Sequence, residues 1–175
     1  MTTTFDLRNR LDEEFSGESD RGCAILTVCL LEEGLAHLLG ALLPGGLKDA
    51  KQFMPKGRLS MGIINSHRLG LISDEVASNL RLLIEIRNSF AHGILDNVSF
   101  RSEHIRTKVL KLALPNLSAV PDVRDDVESD PRKRYMMAFD NMFFTLNEIK
   151  NQVSRLPRIN APTLTITRIN RGTVA

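Results

Sequence analysis

The sequence predicts an all-α fold, namely a single bundle of about five or six helices. Three observations predict it. Apolar residues recur at three- and four-residue steps through most of the chain, as they do in amphipathic helices. Glycine and proline stand at the ends of these segments, where they stop helices. The length of 175 residues, with 42% hydrophobic and 25% charged residues, is typical of one globular domain.

The first two helices are predicted from their caps and their apolar positions. Residues 4–15 are expected to form a short amphipathic helix. Ser19 or Asp20 then caps a long helix that runs to about Leu43, where a Pro-Gly-Gly turn stops it. Because the apolar residues of this second helix repeat at helical steps along its whole length, we expect it to lie at the centre of the core.

Further helices are expected in the middle of the chain. Residues 47–57 form a connection with room for one helical turn. Residues 59–69 form a short helix that Gly70 stops, and a longer helix lies between Ser73 and Gly93. Ser102 caps the next helix, which is predicted to end at about residue 114 because a proline follows.

A loop and one long helix follow. Residues 115–130 hold two prolines and a cluster of acidic residues with little periodicity, which predicts an exposed loop. The pair Asp130–Pro131 then begins the last helix, which is predicted to run to about Arg155. An apolar seam along this helix indicates either core packing or the contact of a homodimer. The seam consists of Tyr135, Phe139, Met142, Leu146, Ile149 and Val153.

The chain is predicted to divide into a helical domain and a tail. Residues 1–156 form the domain. Residues 157–175 form an extended basic tail, in which apolar and polar side chains alternate at 163–169 as they do in a strand. The net charge is only +2, so composition gives no sign of general polyanion binding. The tail either contacts nucleic acid or an acidic partner, or is simply solvated.

Cysteine usage and hydropathy indicate a cytoplasmic protein that does not span a membrane. The spacing of Cys23 and Cys29 fits neither a zinc site nor a redox pair, so both are predicted to be reduced and buried. No signal peptide is visible, because the amino terminus is polar and charged. Three polar residues interrupt the longest apolar run, residues 23–43, so no membrane span is expected.

Arg87 is the main anomaly in the sequence. It lies in the middle of the apolar face of the helix between Ser73 and Gly93, and His92 follows beside the helix stop. The apolar face comprises Val76, Leu80, Leu83, Phe90 and Ala91. An arginine at such a position is costly to bury unless an anion, a carboxylate or a partner meets it. Arg87 and His92 are therefore the first candidates for functional residues.

Arg87 and His92 together have the chemistry to cleave RNA without a metal or any other cofactor. The histidine would deprotonate a ribose 2′-hydroxyl or protonate the leaving oxygen, and the arginine would stabilise charge on the phosphate. Asn88 would orient the substrate or the imidazole through hydrogen bonds. A metal-independent endoribonuclease, acting as a toxin or a defence effector, is therefore one functional hypothesis.

Helix geometry sets a condition on this hypothesis. On a continuous helix five residues turn the chain by about 500°, so the two side chains point about 140° apart. They share a site only if the helix unwinds after His92 or if a second subunit completes the pocket. In the structural alternative, Arg87 pairs with a buried carboxylate and His92 only caps the helix. Examples of such carboxylates are Glu32, Glu33 and Asp20.

No other pattern indicates a catalytic, metal or DNA-binding site. Three histidines lie on separate predicted helices without the spacing of metal ligands, so no metal and no cofactor are expected. They are His37, His67 and His104. Residues 70–86 have some features of a helix-turn-helix. The helix that would act as its recognition helix is too apolar to leave side chains free to contact base edges. Direct sequence-specific reading of DNA is therefore not expected.

Four short segments, taken in order, resemble the mannitol operon repressor-like (MtlR) family of bacterial all-helical proteins. The segments are Glu18-Ser19-Asp20-Arg21-Gly22, Gly57-Arg58-Leu59-Ser60, Leu69-Gly70-Leu71-Ile72-Ser73 and Ile86-Arg87-Asn88-Ser89-Phe90-Ala91-His92. The resemblance spans roughly residues 15–112 and implies transcriptional regulation of a sugar operon. Because members of this family lack an obvious DNA-reading motif, the resemblance implies regulation through a protein partner.

The last of these segments also resembles the HEPN superfamily, whose ribonuclease members carry an arginine and a histidine with four to six residues between them. Here four residues separate Arg87 from His92. The resemblance implies a HEPN-like bundle in which the motif meets its copy across a homodimer. Arg87 and His92 would then be catalytic, Asn88 would support them, and RNA would be the substrate. Non-catalytic HEPN-like domains also exist, so regulation through a protein partner remains the first expectation and the endoribonuclease the second.

Overall fold

The computed structural model describes residues 4–92 and 97–158, except for the side chains of residues 4–8 and 12. This part of the chain is all-helical, as predicted, and contains eight helices. They are α1 (Thr4–Ser16), α2 (Asp20–Leu42), α3 (Leu47–Phe53), α4 (Leu59–Arg68), α5 (Asp74–His92), α6 (Glu103–Val109), α7 (Pro121–Ser129) and α8 (Pro131–Gln152). The strand predicted at residues 163–169 lies outside the described residues.

Local capping signals set the ends of several helices. The Ser19 hydroxyl accepts a hydrogen bond from the Gly22 amide at 3.0 Å, which caps α2 as predicted. Asp130 caps α8 in the same way, because its Oδ1 accepts from the Arg132 amide at 2.8 Å. Gly70 has a φ of 69°, a left-handed conformation that glycine adopts at little cost, and it ends α4 where the sequence predicts.

The central helix of the bundle is α2. It packs against α3, α4, α5 and α8, and its inner face is buried. Within the described residues it is also the one helix long and apolar enough to cross a membrane, a criterion that core helices of globular bundles also meet. Here four neighbouring helices cover its apolar face. The buried residues of α2 are Cys23, Ala24, Thr27, Val28, Leu31, Leu35, Leu38, Leu39 and Gly40.

The apolar seam of α8 faces the core. Tyr135, Phe139, Met142 and Leu146 are buried, and α8 packs along α2. The ring of Phe139 meets that of Phe15 edge to face, with ring centroids 5.5 Å apart. Of the two roles that the sequence suggests for this seam, core packing is therefore the correct one. A homodimer would need a different surface.

The segment predicted to be a loop at residues 115–130 is partly helical. Its second half forms α7, which has a proline in its first turn and Asp122 at its positive end. Val127 is buried and anchors α7 on α8. The loop prediction was wrong here because so short a helix depends on that tertiary contact. Together α3 and α7 bring the helices of the described chain to eight instead of about five or six.

The helix predicted from Ser102 to about residue 114 is shorter in the structure. It ends at Val109 as α6, and the Ser102 hydroxyl accepts from the Ser99 amide at 3.0 Å instead of capping the helix. The Arg134 guanidinium then donates to the carbonyl oxygens of Leu110 and Leu112. These contacts from α8 hold the chain in a turn, so the helix ends before the proline that was expected to end it.

Two glycines of α2 differ in the space around them and make a matched pair of substitutions. A Cβ at Gly40 would lie 3.1 Å from the amide nitrogen of Leu47 and 3.2 Å from its Cα, which are backbone atoms that cannot rotate away. A Cβ at Gly34 would meet only Leu146 Cδ1, at an ordinary 3.7 Å. The glycine at position 40 therefore permits the close approach of α2 and α3.

We expect Gly40→Ala to lower the free energy of unfolding by about 1 kcal/mol, because crowding against the backbone exceeds the gain in helix propensity. Gly34→Ala should raise the free energy of unfolding by about 0.5 kcal/mol, because it gains propensity without crowding. Urea unfolding followed by circular dichroism measures both. Equal effects of the two substitutions would contradict the close approach at Gly40.

Candidate functional site

Arg87 lies on the inner face of α5, between the buried side chains of Leu83 and Phe90. Its Nε atom is buried and has no hydrogen-bond partner among the described residues. Burial raises the pKa of Tyr135 of α8, and the positive charge of Arg87 acts weakly against that rise, so the guanidinium lies within electrostatic range of the phenol. Arg87 as a whole is half-buried, and its Nε has lost hydration without a hydrogen bond from the described residues to compensate, which favours binding of an anion.

The three carboxylates that the sequence offers as partners of Arg87 bind elsewhere. Asp20 accepts a hydrogen bond from Arg132 Nη1 at 2.9 Å, and Glu32 accepts one from the Gly57 amide at 2.6 Å. The Glu33 carboxylate lies 3.7 Å from His37 Nε2. Among the described contacts, none of these three carboxylates therefore neutralises Arg87. Each of the three instead joins a nearer donor at the end or on the outer face of α2.

His92 and Asn88 lie on the exposed side of α5. Because the helix continues without interruption to His92, its side chain and that of Arg87 point about 140° apart. The unwinding that would join them does not occur within α5, and Gly93 lies outside the described residues. Among the described residues, one copy of the chain therefore does not bring Arg87 and His92 into one site.

Lys108 of α6 is a neighbour of the predicted site that the sequence did not indicate. Its Nζ donates a hydrogen bond to the Ser89 hydroxyl at 2.8 Å, and that hydroxyl donates to the Glu85 carbonyl oxygen at 3.0 Å. The contact brings a cation to the last two turns of α5, beside Asn88. No periodicity or motif links a residue of α6 to one of α5, so sequence reasoning had no signal for it.

A small polar cluster is buried where α2 crosses α8. The hydroxyl oxygens of Thr27 and Tyr135 lie 2.6 Å apart, and the Thr27 hydroxyl also lies 2.8 Å from the Cys23 carbonyl oxygen. Burial raises the pKa of Tyr135 well above its ordinary value, while the hydrogen bond between Tyr135 and Thr27 and the charge of Arg87 act in the opposite direction. Burial also raises the pKa of the Cys23 thiol, against the charge of Arg132. Both groups are therefore neutral near pH 7.

The raised pKa of Tyr135 predicts a loss of stability in alkali. Below about pH 10 the phenol is protonated in both the folded and the unfolded chain, so Tyr135 adds no pH dependence there. Above that pH the unfolded chain loses this proton first, and the free energy of unfolding falls as pH rises. Because the chain has one tyrosine, its phenolate absorbance reports this site alone.

We expect phenolate absorbance to appear together with the loss of helical circular dichroism, and not before it. Tyr135→Phe removes the hydrogen bond with Thr27 and should lower the free energy of unfolding by about 1 kcal/mol near pH 7. The same variant should lose less of its free energy of unfolding than wild type as the pH rises above about 10. Ionisation of Tyr135 near pH 10 in a protein that remains helical would contradict its burial beside Thr27.

Three cavities lie along α2 or α8. One of about 280 Å³ lies between these two helices, one of about 410 Å³ lies along the outer side of α8, and one of about 450 Å³ lies between α2 and the α3–α4 connection. None of these three is lined by Arg87 or His92. No three His, Cys, Asp or Glu side chains in the described ranges are grouped to hold a metal ion.

Comparison with known proteins gives one similar structure. No protein-family model matches this sequence, and no curated protein matches it. The structure is similar to a chain in the X-ray structure of the MtlR–HPr complex from Escherichia coli. The match covers 83% of this chain and 97% of that chain, with a TM-score of 0.50 and 23% sequence identity. This chain has an MtlR-like fold.

The MtlR-like fold agrees with the architecture that the four sequence segments imply. At 23% identity the similarity concerns the fold, so it assigns no role to individual side chains. Arg87, Asn88 and His92 therefore stay predicted site residues. Their placement in one continuous helix means that any shared site would need a contribution from outside that helix.

Proposed function

We propose that this protein is a regulator that acts by binding a protein partner. The observation that carries the proposal is its MtlR-like fold, because the similar chain belongs to a complex of MtlR with HPr. HPr is therefore the first partner proposed for this chain. The free thiols of Cys23 and Cys29 suit the reducing cytoplasm, which is the compartment proposed for this function.

The surface of α5 supports action through a partner rather than through DNA bases. Leu80, Leu83, Ile84 and Ile86 of this helix are buried in the bundle. Its exposed side carries one arginine and one glutamate in a row formed by Ser78, Arg81, Glu85, Asn88 and His92. A recognition helix lies between phosphates, which attract cations and repel carboxylates, so this face is a weak match for DNA.

Titration calorimetry with purified components tests the proposal. We expect HPr to bind this protein saturably, in the micromolar range that is common for transient regulatory complexes. The Escherichia coli MtlR–HPr pair is the positive control, and an unrelated small protein of similar net charge is the negative control. Absence of binding at concentrations that saturate MtlR would contradict HPr as the partner.

The endoribonuclease is the second hypothesis, and the geometry does not favour it. Arg87 and His92 point away from each other on α5, so the site would require a homodimer in which the second copy completes each pocket. The test is incubation of wild type and His92→Ala with mixed single-stranded RNAs in EDTA. We expect no cleavage by either protein. Cleavage by wild type alone, with 2′,3′-cyclic phosphate ends, would establish the ribonuclease and overturn this expectation.

A further inference from the structure

The cavity between α2 and α8 has an apolar surface held in place by the packing of α8. Its volume is about 280 Å³, close to the lower end of the range of known ligand pockets, about 300 Å³. Leu30 of α2 and Phe143 of α8 line it and are half-buried against the core. The Phe143 ring also contacts two other aromatic rings, with its centroid 5.8 Å from that of Phe139 and 5.7 Å from that of Phe144.

Gly34 of α2 keeps this cavity open. It lies among the lining residues, about one turn from Leu30 and from His37, which also line the cavity. A Cβ at position 34 would meet only Leu146 Cδ1, at 3.7 Å. The packing of the described residues therefore does not require a glycine here. A larger side chain at this position would occupy the cavity without crowding the backbone.

The cavity has one carboxylate and one ammonium group, on different helices. Glu33 of α2 supplies the carboxylate, and Lys150 of α8 supplies the ammonium group. Glu33 also borders the cavity of about 450 Å³, which Lys51 and Lys56 line. Among the described ion pairs, none joins Glu33 to any of these three lysines. The opposite charges of Glu33 and Lys150 therefore lie around one space without neutralising each other directly.

Neighbouring side chains leave both charges available to a ligand. Lys150 is half-buried, and its Nζ donates a hydrogen bond to Asn147 Oδ1 at 2.7 Å, so the Asn147 amide keeps its two Nδ2 hydrogens as donors. The described ion pair of Glu33 is with His37 Nε2 at 3.7 Å, which is longer than a hydrogen bond. The α8 side of the cavity therefore offers donors to a carboxylate, and the α2 side offers an acceptor to an ammonium group.

We propose that this cavity binds a free amino acid that has an apolar side chain. Lys150 and the Asn147 amide bind its carboxylate, Glu33 binds its ammonium group, and Leu30 and Phe143 contact its side chain. A ligand with both charges matches the cavity best, because an anion is repelled by the carboxylate and a cation by the ammonium group. This site goes beyond the proposed function and does not depend on the binding of HPr.

A docked protein fits this cavity less well. The volume of about 280 Å³ has room for one side chain of a partner or of a second copy of this chain. A single side chain carries one charge at most, so it would leave either Glu33 or Lys150 unmatched at the cavity. A small zwitterion brings both charges within the same volume.

Titration calorimetry with single amino acids tests the proposal. Valine, leucine, methionine and phenylalanine are titrated first. We expect the best of them to bind with a dissociation constant of about 0.1–1 mM, as suits a ligand with few non-hydrogen atoms. It is then compared with glycine and with the analogues that lack one charge, which for leucine are isoamylamine and 4-methylpentanoate. Each of these should bind at least about fivefold more weakly.

Three substitutions connect that binding to the cavity. Lys150→Met should remove the preference for the amino acid over its amine analogue, and Glu33→Gln should remove the preference over its carboxylic acid analogue. Gly34→Val should weaken binding by about tenfold or more, because its side chain fills the cavity. Lys111→Met is the control, since Lys111 is an exposed lysine outside the cavity, and it should leave the affinity unchanged. Circular dichroism shows whether each variant is folded.

The outcomes distinguish this inference from the proposed function. Absence of binding by all four amino acids up to about 10 mM would overturn the site, as would equal binding of the one-charge analogues. Binding that the three substitutions leave unchanged would place the ligand elsewhere. A dimer that Gly34→Val dissociates in sedimentation experiments would give the cavity to a second copy. Titration with HPr tests the proposed function separately, and its failure would leave the amino-acid site intact.

Discussion

Replacing Arg132 with methionine should lower the free energy of unfolding by about 3 kcal/mol. The Arg132 guanidinium donates to Asp20 Oδ1 at 2.9 Å and to the carbonyl oxygens of Glu18 and Phe15 at 2.6 and 3.1 Å. Methionine retains much of the side-chain volume but leaves the carboxylate and both carbonyls without this donor. Because the Arg132 and Asp20 side chains are 32% and 25% exposed, water compensates part of the loss.

The same substitution at Arg87 is the matched control. We expect Arg87→Met to leave the free energy of unfolding unchanged or to raise it by about 1 kcal/mol, because an apolar group replaces a buried Nε that has no hydrogen bond to the described residues. Urea unfolding followed by circular dichroism measures both variants. If Arg87→Met cost as much as Arg132→Met, Arg87 would have an ion-pair partner in the folded protein, and its role would be structural.

Replacing Asn79 with alanine should lower the free energy of unfolding by about 2–3 kcal/mol. Asn79 lies on α5, is 2% exposed, and holds the segment after α6 through two hydrogen bonds. Its Nδ2 donates to the Ala113 carbonyl oxygen at 2.9 Å, and its Oδ1 accepts from the Ala113 amide at 2.9 Å. Alanine removes both partners at once, leaves a donor and an acceptor unpaired, and creates a small cavity.

Asn88→Ala on the same helix is the control, because Asn88 is exposed and should change the free energy of unfolding by less than about 0.5 kcal/mol. Hydrogen exchange of the Ala113 amide gives an independent readout. We expect this amide to be protected in wild type and in Asn88→Ala, and to exchange faster in Asn79→Ala. Unchanged protection in Asn79→Ala would mean that the two hydrogen bonds do not hold this segment.

Helix ends that depend on adjacent residues were predictable from the sequence. Ser19 caps α2, Asp130 caps α8 and Gly70 ends α4 through contacts or backbone conformations within a few residues of each end. The central place of α2 was also predictable, because a long helix with apolar residues throughout its length must be covered by other helices. These features have short-range causes, which a sequence contains in full.

Helix ends that depend on other helices were not predictable. The existence of α7 depends on burial of Val127 against α8, and the early end of α6 depends on Asn79 and Arg134, which lie on other helices. A loop from 115 to 130 and a helix to residue 114 were the expectations from local pattern. Both failed where hydrogen bonds and burial came from residues distant in sequence.

The candidate site also has features that were predictable from the sequence and features that were not. Arg87 could be singled out because an arginine on an apolar helical face breaks the pattern, and the structure places it on the inner face of α5. The absence of a described ion pair for it could not be foreseen, because Asp20, Glu32 and Glu33 were equally available by sequence. The contact of Lys108 with Ser89 emerges only once the helices are packed.

By itself, then, the sequence determined the all-α class, the main helices, their caps and the apolar faces that form the core. It could do so because periodicity and capping act over one or two helical turns. The tertiary structure decided which carboxylate meets which arginine, and it decided that Arg87 and His92 point apart. Those outcomes depend on distances between residues far apart in sequence, and only the packing of helices against one another sets such distances.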